Sequence, residues 1–150
     1  MPVDSRNEEV IEMSILQKKT KIKNNESHNK AIVYSCSGCS NLAQMAHNIS
    51  LTLDGDGVAE MSCISGVMGK VKPMMDLAKS GRPIIAIDGC ELSCTKSCLD
   101  SSDIIIDYYF KISDLGFDKR DKWDDSLSEN TLAIKTVYAG LIEAGINFNQ

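Results

Sequence analysis

Six cysteines are the residues of this 150-residue chain best equipped for chemistry. Three of them recur at every fourth position in IIAIDGCELSCTKSC, Ile84 to Cys98, where an apolar run leads into Cys90, Cys94 and Cys98. Cys36 and Cys39 form a CxxC pair, a spacing that lets two sulfurs reach one metal ion, or each other, across a tight turn. Cys63 stands midway between Cys36 and Cys90, twenty-seven residues from each. A thiolate is both a nucleophile and a soft metal ligand. Three chemistries therefore compete: inert cysteines packed as small hydrophobes, a thioredoxin-like dithiol at Cys36 and Cys39, and a metal centre built from thiolates.

The elements that must position these residues alternate in type. Ala31 to Tyr34 is β-prone and ends at the CxxC segment. Asn41 to Leu53 carries Leu42, Met45, Ala46, Ile49 and Leu53 at helical spacing. Asp54 to Gly57 is a turn, and Val58 to Met61 is a weaker strand that ends at Cys63. Met68 to Ser80 reads as a helix with Pro73 near its first turn and Gly81 as its stop. Pro83 to Ile87 is a buried strand, Glu91 to Leu99 a helix, and Ile104 to Phe110 a further strand. SDLGFDKRDKWDD, residues 113–125, is a polar loop. Ser126 and Glu129 have capping-box spacing, ahead of a helix that buries Leu132, Val137 and Leu141. Alternation of this kind predicts a small three-layer, Rossmann-like α/β domain with a mostly parallel sheet of about four strands. That domain spans residues 31–150. Residues 1–30 lack aromatics and read as a polar, lysine-rich N-terminal extension, with Ile11, Ile15 and Leu16 at the spacing of a short amphipathic helix.

In an open α/β sheet the carboxyl ends of parallel strands share one edge, where ligands bind. Cys36, Cys63 and Cys90 each follow a strand, so three successive strand–helix units place a thiol at the same level. Gly89 permits a sharp turn or close backbone approach before Cys90. The start of the first helix, near Ser40 and Asn41, offers free amides that favour a thiolate at the CxxC segment. On a helix, Cys90 and Cys94 share a face about 6 Å apart, and Cys98 sits a turn further from the strand ends. A four-thiolate set from three strand ends suits zinc. An iron–sulfur cluster uses the same ligands.

The formal net charge of −5 argues against a nucleic-acid partner. No apolar run has the length of a membrane span. MPVDSRNEEVIEM lacks an apolar signal core, so a cytoplasmic, thiol-reducing setting is expected. The sequence carries no GxGxxG, no phosphate loop with its lysine and no evident Ser-His-Asp set.

The chain resembles the DGC-domain family, for which zinc binding is inferred, on Asp88-Gly89-Cys90 followed by Cys94, on VYSCSGCSNLAQ (Val33 to Gln44), on MSCISGVMG (Met61 to Gly69) and on ISDLGFDK (Ile112 to Lys119). The resemblance covers about residues 31–125. It implies cysteine-based metal binding, with Cys36, Cys63, Cys90 and Cys94 as ligands by position. Cys39 would lie at the rim of the site, and Cys98 matches no motif position.

Other candidates have simpler readings beside the functional ones. Asp88 either orients a ligand backbone or caps the following helix. Ser35, Ser37 and Ser40 either donate to thiolates or keep a loop soluble. Lys70 and Lys96 either offset thiolate charge or face solvent. His47 is a helix residue, His28 lies in the polar extension, and Trp123 is a partner contact or a cover for the core edge. Met61, Met68, Met74 and Met75 read as core gap-fillers. Zinc or a similar soft metal held by Cys36, Cys63, Cys90 and Cys94, with Cys39 at the rim, is the expected function; a thiol oxidoreductase acting through Cys36 and Cys39, or an iron–sulfur protein, is the alternative.

Overall fold

The computed structural model describes residues 30–120 and 126–146. The expected helix around Ile11, Ile15 and Leu16, together with His28 and Trp123, lies outside the described residues. Four parallel strands, β1 (Ala31–Ser35), β2 (Ala59–Met61), β3 (Ile84–Asp88) and β4 (Tyr108–Lys111), form one sheet in the order β2-β1-β3-β4. Val33 registers with Met61 on one side of β1 and with Ile85 on the other, and Ile87 registers with Phe110. β1 and β3 are buried along their whole length, which is why both read as unbroken apolar runs rather than alternating ones.

Successive residues of these strands face opposite layers. Val33, Ile85 and Ile87 pack under α1 (Asn41–Gly55) and the final helix α5 (Leu127–Glu143), which contribute Leu42, Met45, Ile49, Leu53, Val137 and Leu141. Ile32, Tyr34, Ile84 and Ala86 pack under α2 (Ile64–Met68), α3 (Lys72–Ala78) and α4 (Cys94–Asp100), through Val67, Ala78 and Leu99. Each fully buried Ile or Leu here stabilises the fold by about 1.5–3 kcal/mol of transfer free energy. The three-layer α/β architecture expected from the sequence is the one observed. Among the described residues no helix is long and apolar enough to cross a membrane.

Several local expectations need correction. The stretch read as one helix from Met68 to Ser80 is broken: Lys70 adopts a left-handed φ of 55°, so α2 ends at Met68 and α3 restarts at Lys72 with Pro73 in its first turn. The helix placed at Glu91 to Leu99 starts only at Cys94, because Ser93 also takes a left-handed φ, of 49°. Cys90 is therefore a loop residue and shares no helical face with Cys94. The strand read from Ile104 pairs only over Tyr108–Lys111. The polar loop opens with a 3-10 turn at Ile112–Leu115, closed by Gly116 at φ 91°. Leu132 is 56% exposed, on the outer face of α5, while Val137 and Leu141 are buried as expected. Met68, read as a core filler, is 47% exposed.

Candidate functional site

The order β2-β1-β3-β4 creates a switch point. The chain leaves β1 through α1 on one layer and returns at β2, whereas it leaves β3 through α4 on the other layer and returns at β4. The two exits diverge, and a crevice opens between the carboxyl ends of β1 and β3, where α/β folds bind ligands. Cys36 is the first residue past β1 and Cys90 lies two residues past β3. Strand pairing persists to the rim, since the Cys36 N–H still donates to the Ile87 carbonyl at 3.1 Å.

Gly89 is what brings the two loops together. Its N–H donates to Cys36 Sγ at 3.1 Å. A Cβ on this residue would lie 2.7–2.8 Å from the backbone of Leu42 and Ala43, in the first turn of α1. Only glycine allows that crossing. Burial pushes the Cys36 thiol up to about 11, against the lowering effect of the Gly89 hydrogen bond, and the charges of Asp88, Cys94 and Cys90 push it the same way. Cys36, Cys90 and Cys94 are thus electrostatic neighbours at one rim. Cys36 and Cys90 are half-buried against the α1 layer, and Cys94 is exposed.

The other three cysteines sit on segments of their own. Cys63 is exposed at the start of α2 and acts on Tyr34, whose hydroxyl is raised chiefly by burial. Cys39 is exposed in the turn before α1, whose Gln44 amide donates to the Gly38 carbonyl. Cys98 is half-buried on α4, and its thiol is raised by burial and then by the charge of Cys94. Among the described residues, no three side chains of Cys, His, Asp or Glu stand together in a group ready to hold a metal ion.

Asp88 caps. It is 1% exposed, and its carboxylate accepts from the N–H groups of Thr95 (2.7 Å) and Lys96 (3.0 Å) at the start of α4. Ser40 likewise caps α1, accepting from Ala43 N–H at 3.2 Å. Lys70 reaches Ser102, and Lys96 reaches Asp100, so both turn to groups other than the thiols.

Tyr109, Ser113 and Lys111, whose roles are not legible in the sequence, hold the rim in place together with Asn41. The Tyr109 hydroxyl donates to Asp88 Oδ2 at 3.1 Å and meets Ser93 Oγ at 2.9 Å; burial and the charge of Asp88 raise it. Ser113 donates twice, from its N–H to the Gly89 carbonyl at 3.1 Å and from its hydroxyl to Glu91 at 3.1 Å. Lys111 donates to the same carboxylate at 2.8 Å and holds it below the usual range. Asn41, 2% exposed, fixes the other loop: its Nδ2 donates to the Asp118 carbonyl at 2.9 Å and its Oδ1 accepts from Arg120 N–H at 2.6 Å. The segment ISDLGFDK is therefore a brace beneath both cysteine loops. Its recurrence in the resembled family was the available signal, though nothing local in it suggested a partner.

A protein of Pseudomonas aeruginosa, the anaerobic and virulence modulator AnvM, is 48% identical over 89 residues, which cover 59% of this chain and 68% of that protein. No solved structure matches the chain. The family model described as the DGC domain matches residues 32–137, from β1 through the core-facing Val137 of α5, and the chain belongs to that family.

Proposed function

We propose that this DGC-domain chain binds zinc, or a similarly soft ion, through Cys36, Cys90 and Cys94, with Cys63 as fourth donor and Cys39 at the rim. The observation that carries the reading is the Gly89 N–H aimed at Cys36 Sγ from 3.1 Å, at the switch point of the sheet. A backbone amide so placed stabilises a thiolate once a cation displaces the proton. The donor set fits the group chemically: thiolates are the ligands zinc prefers in structural sites. Bound zinc would supply a fixed positive charge that cross-links the loops after β1, β2 and β3. The chain's own residues do the rest. Ser113 and Asn41 hold the two loops at the rim, and Asp88 fixes the start of α4, which presents Cys94. The role is structural, storage or transfer of the ion. A thiolate centre persists where thiols stay reduced, in keeping with the word "anaerobic" in the name of the Pseudomonas relative.

An oxidoreductase would use Cys36 as the attacking thiol; burial raises that thiol, whereas an attacking thiol works best with a pKa near ambient pH.

Elemental analysis of protein purified anaerobically without chelator tests the proposal. About one equivalent of zinc in a colourless sample, lost in C36S and C90S and kept in C39S, is the expected result. A brown sample with charge-transfer bands, or a metal-free protein that cycles two thiols, would overturn it.

A further inference from the structure

β4 ends the sheet on the side away from β2, and among the described residues no strand lies beyond it. Its outward groups follow from the pairing. Cys36 N–H donates to the Ile87 carbonyl, so Ile85 and Ile87 turn their backbone groups towards β1, while Ile84, Ala86 and Asp88 serve β4. Asp107 N–H accordingly donates to the Ile84 carbonyl at 3.0 Å. In a parallel ladder, the residue that bridges two such groups is the register partner of the residue between them. Here those residues are Tyr108 and Phe110, the partners of Ile85 and Ile87. Tyr109 therefore presents its N–H and C=O to the open edge. A groove of about 610 Å³ lies between α4 and this edge. Its walls carry Asp100, Asp103 and Asp107 against Lys96, which Asp100 already pairs at 2.6 Å. Ile105, 82% exposed, is apolar surface that a strand laid along the edge would cover.

We propose that a second copy of this chain pairs with β4 antiparallel, about a two-fold axis at Tyr109, joining two sheets into one. DYYFK, Asp107 to Lys111, complements itself in that register. The two Tyr109 residues exchange N–H···O=C bonds. Asp107 stands opposite Lys111 of the second copy, and Tyr108 opposite its Phe110, each twice by symmetry. Opposite charges and aromatic pairs directly across an antiparallel ladder are stabilising. Lys111 already meets Glu91 at 2.8 Å and Asp114 at 3.4 Å on its own chain, and an ammonium has three donors. Asp107 and Lys111 share a sheet face with Tyr109, whose hydroxyl reaches Ser93. Each incoming lysine thus adds positive charge beside the carboxylates of the groove. Registers centred on Tyr108 or Phe110 set Tyr109 against Asp107 or Lys111 and lose both ion pairs. The dimer is independent of the zinc reading, since it uses no cysteine.

Sedimentation velocity and amide exchange on the reduced full chain test the proposal. The wild type should pass from monomer to dimer as its concentration rises to about 0.5 mM. The Tyr109 amide should exchange more slowly in the dimer, while Tyr108 and Phe110, already bonded to β3, should not change. Asp107→Lys sets two lysine pairs across the axis and Lys111→Asp two aspartate pairs, so each should weaken the dimer at least about tenfold. An equimolar mixture of the two variants restores both attractive pairs and should form a mixed dimer within about threefold of wild-type affinity. Folded variants that stay monomeric when mixed overturn the proposal. So does a wild type that stays monomeric over the whole range, or a dimer whose Tyr109 amide exchanges as in the monomer, which puts the contact on another face. The last two outcomes read the wild type alone and hold even where a variant fails to fold.

Discussion

The backbone N–H of Gly89 donates to the sulfur of Cys36 across 3.1 Å, joining the loop after β1 to the loop that carries Cys90. The contact exists because α1 crosses over a residue with no side chain. In Gly89→Ala the added methyl would meet backbone atoms of Leu42 and Ala43 at 2.7–2.8 Å, and backbone cannot rotate away as a side chain can. We expect a loss of about 3 kcal/mol, the upper range for overpacking, in urea unfolding. Gly66→Ala is the control: its methyl would meet the flexible Met74 side chain, so it should cost clearly less.

Cys36 makes the metal-free protein sensitive to alkali. Burial raises its thiol from 9.0 to about 11, so between those values the folded chain keeps a proton that the unfolded chain releases. Stability must then fall as pH rises through that window. Unfolding midpoints measured from pH 8 to 11 should show the decline in the metal-free wild type and a flatter profile in C36S. The same thiol makes zinc uptake proton-coupled: near pH 7, affinity should rise about tenfold per pH unit for each proton displaced. Zinc affinity independent of pH would contradict the use of Cys36 as a ligand.

Asp88→Asn should separate capping from metal chemistry. The carboxylate accepts from Thr95 N–H, Lys96 N–H and the Tyr109 hydroxyl, and it is buried. An amide can supply only one acceptor oxygen, so thermal unfolding should report a loss of about 1–3 kcal/mol. Tyr109→Phe removes a single donor and should cost less, about 0.5–1.5 kcal/mol. Iodoacetamide should modify Cys94 faster in Asp88→Asn, where the start of α4 is held less firmly, and little faster in Tyr109→Phe, where both N–H bonds to Asp88 remain.

Asn41→Ala should loosen the brace from the opposite side. It removes the hydrogen bonds to the Asp118 carbonyl and the Arg120 N–H and leaves polar backbone groups without a partner. A cost of about 2 kcal/mol is expected in chemical denaturation. Amide exchange should quicken around 117–120 while the strands keep their protection, since β1 and β3 are secured by their own register.

Much of the fold was legible because burial writes periodicity into sequence. β1 and β3 are apolar throughout since both faces are covered, and Leu42, Met45, Ile49 and Leu53 repeat at the helical period since one face of α1 meets the sheet. Breaks set by backbone conformation were not legible. Lys70 and Ser93 take left-handed φ values that neither residue type favours, and each shifts a helix boundary. Leu132 was misplaced for a related reason: a leucine at helical spacing does not reveal which side of α5 is covered.

By itself the sequence determined the parallel α/β domain and the placement of cysteines directly after strands, because chain direction and strand length follow from local pattern and spacing. Tertiary structure alone decided which cysteines become neighbours. Strand order β2-β1-β3-β4 sets Cys36 and Cys90 in the crevice where the chain leaves β1 and β3 for opposite layers, and a glycine crossing beneath α1 closes the gap between their loops. It also turned the ladder of three cysteines into two different things: a loop thiol at Cys90, and a helical pair at Cys94 and Cys98. Strand order and helix starts depend on contacts between residues far apart in the chain, and spacing along the chain does not encode them.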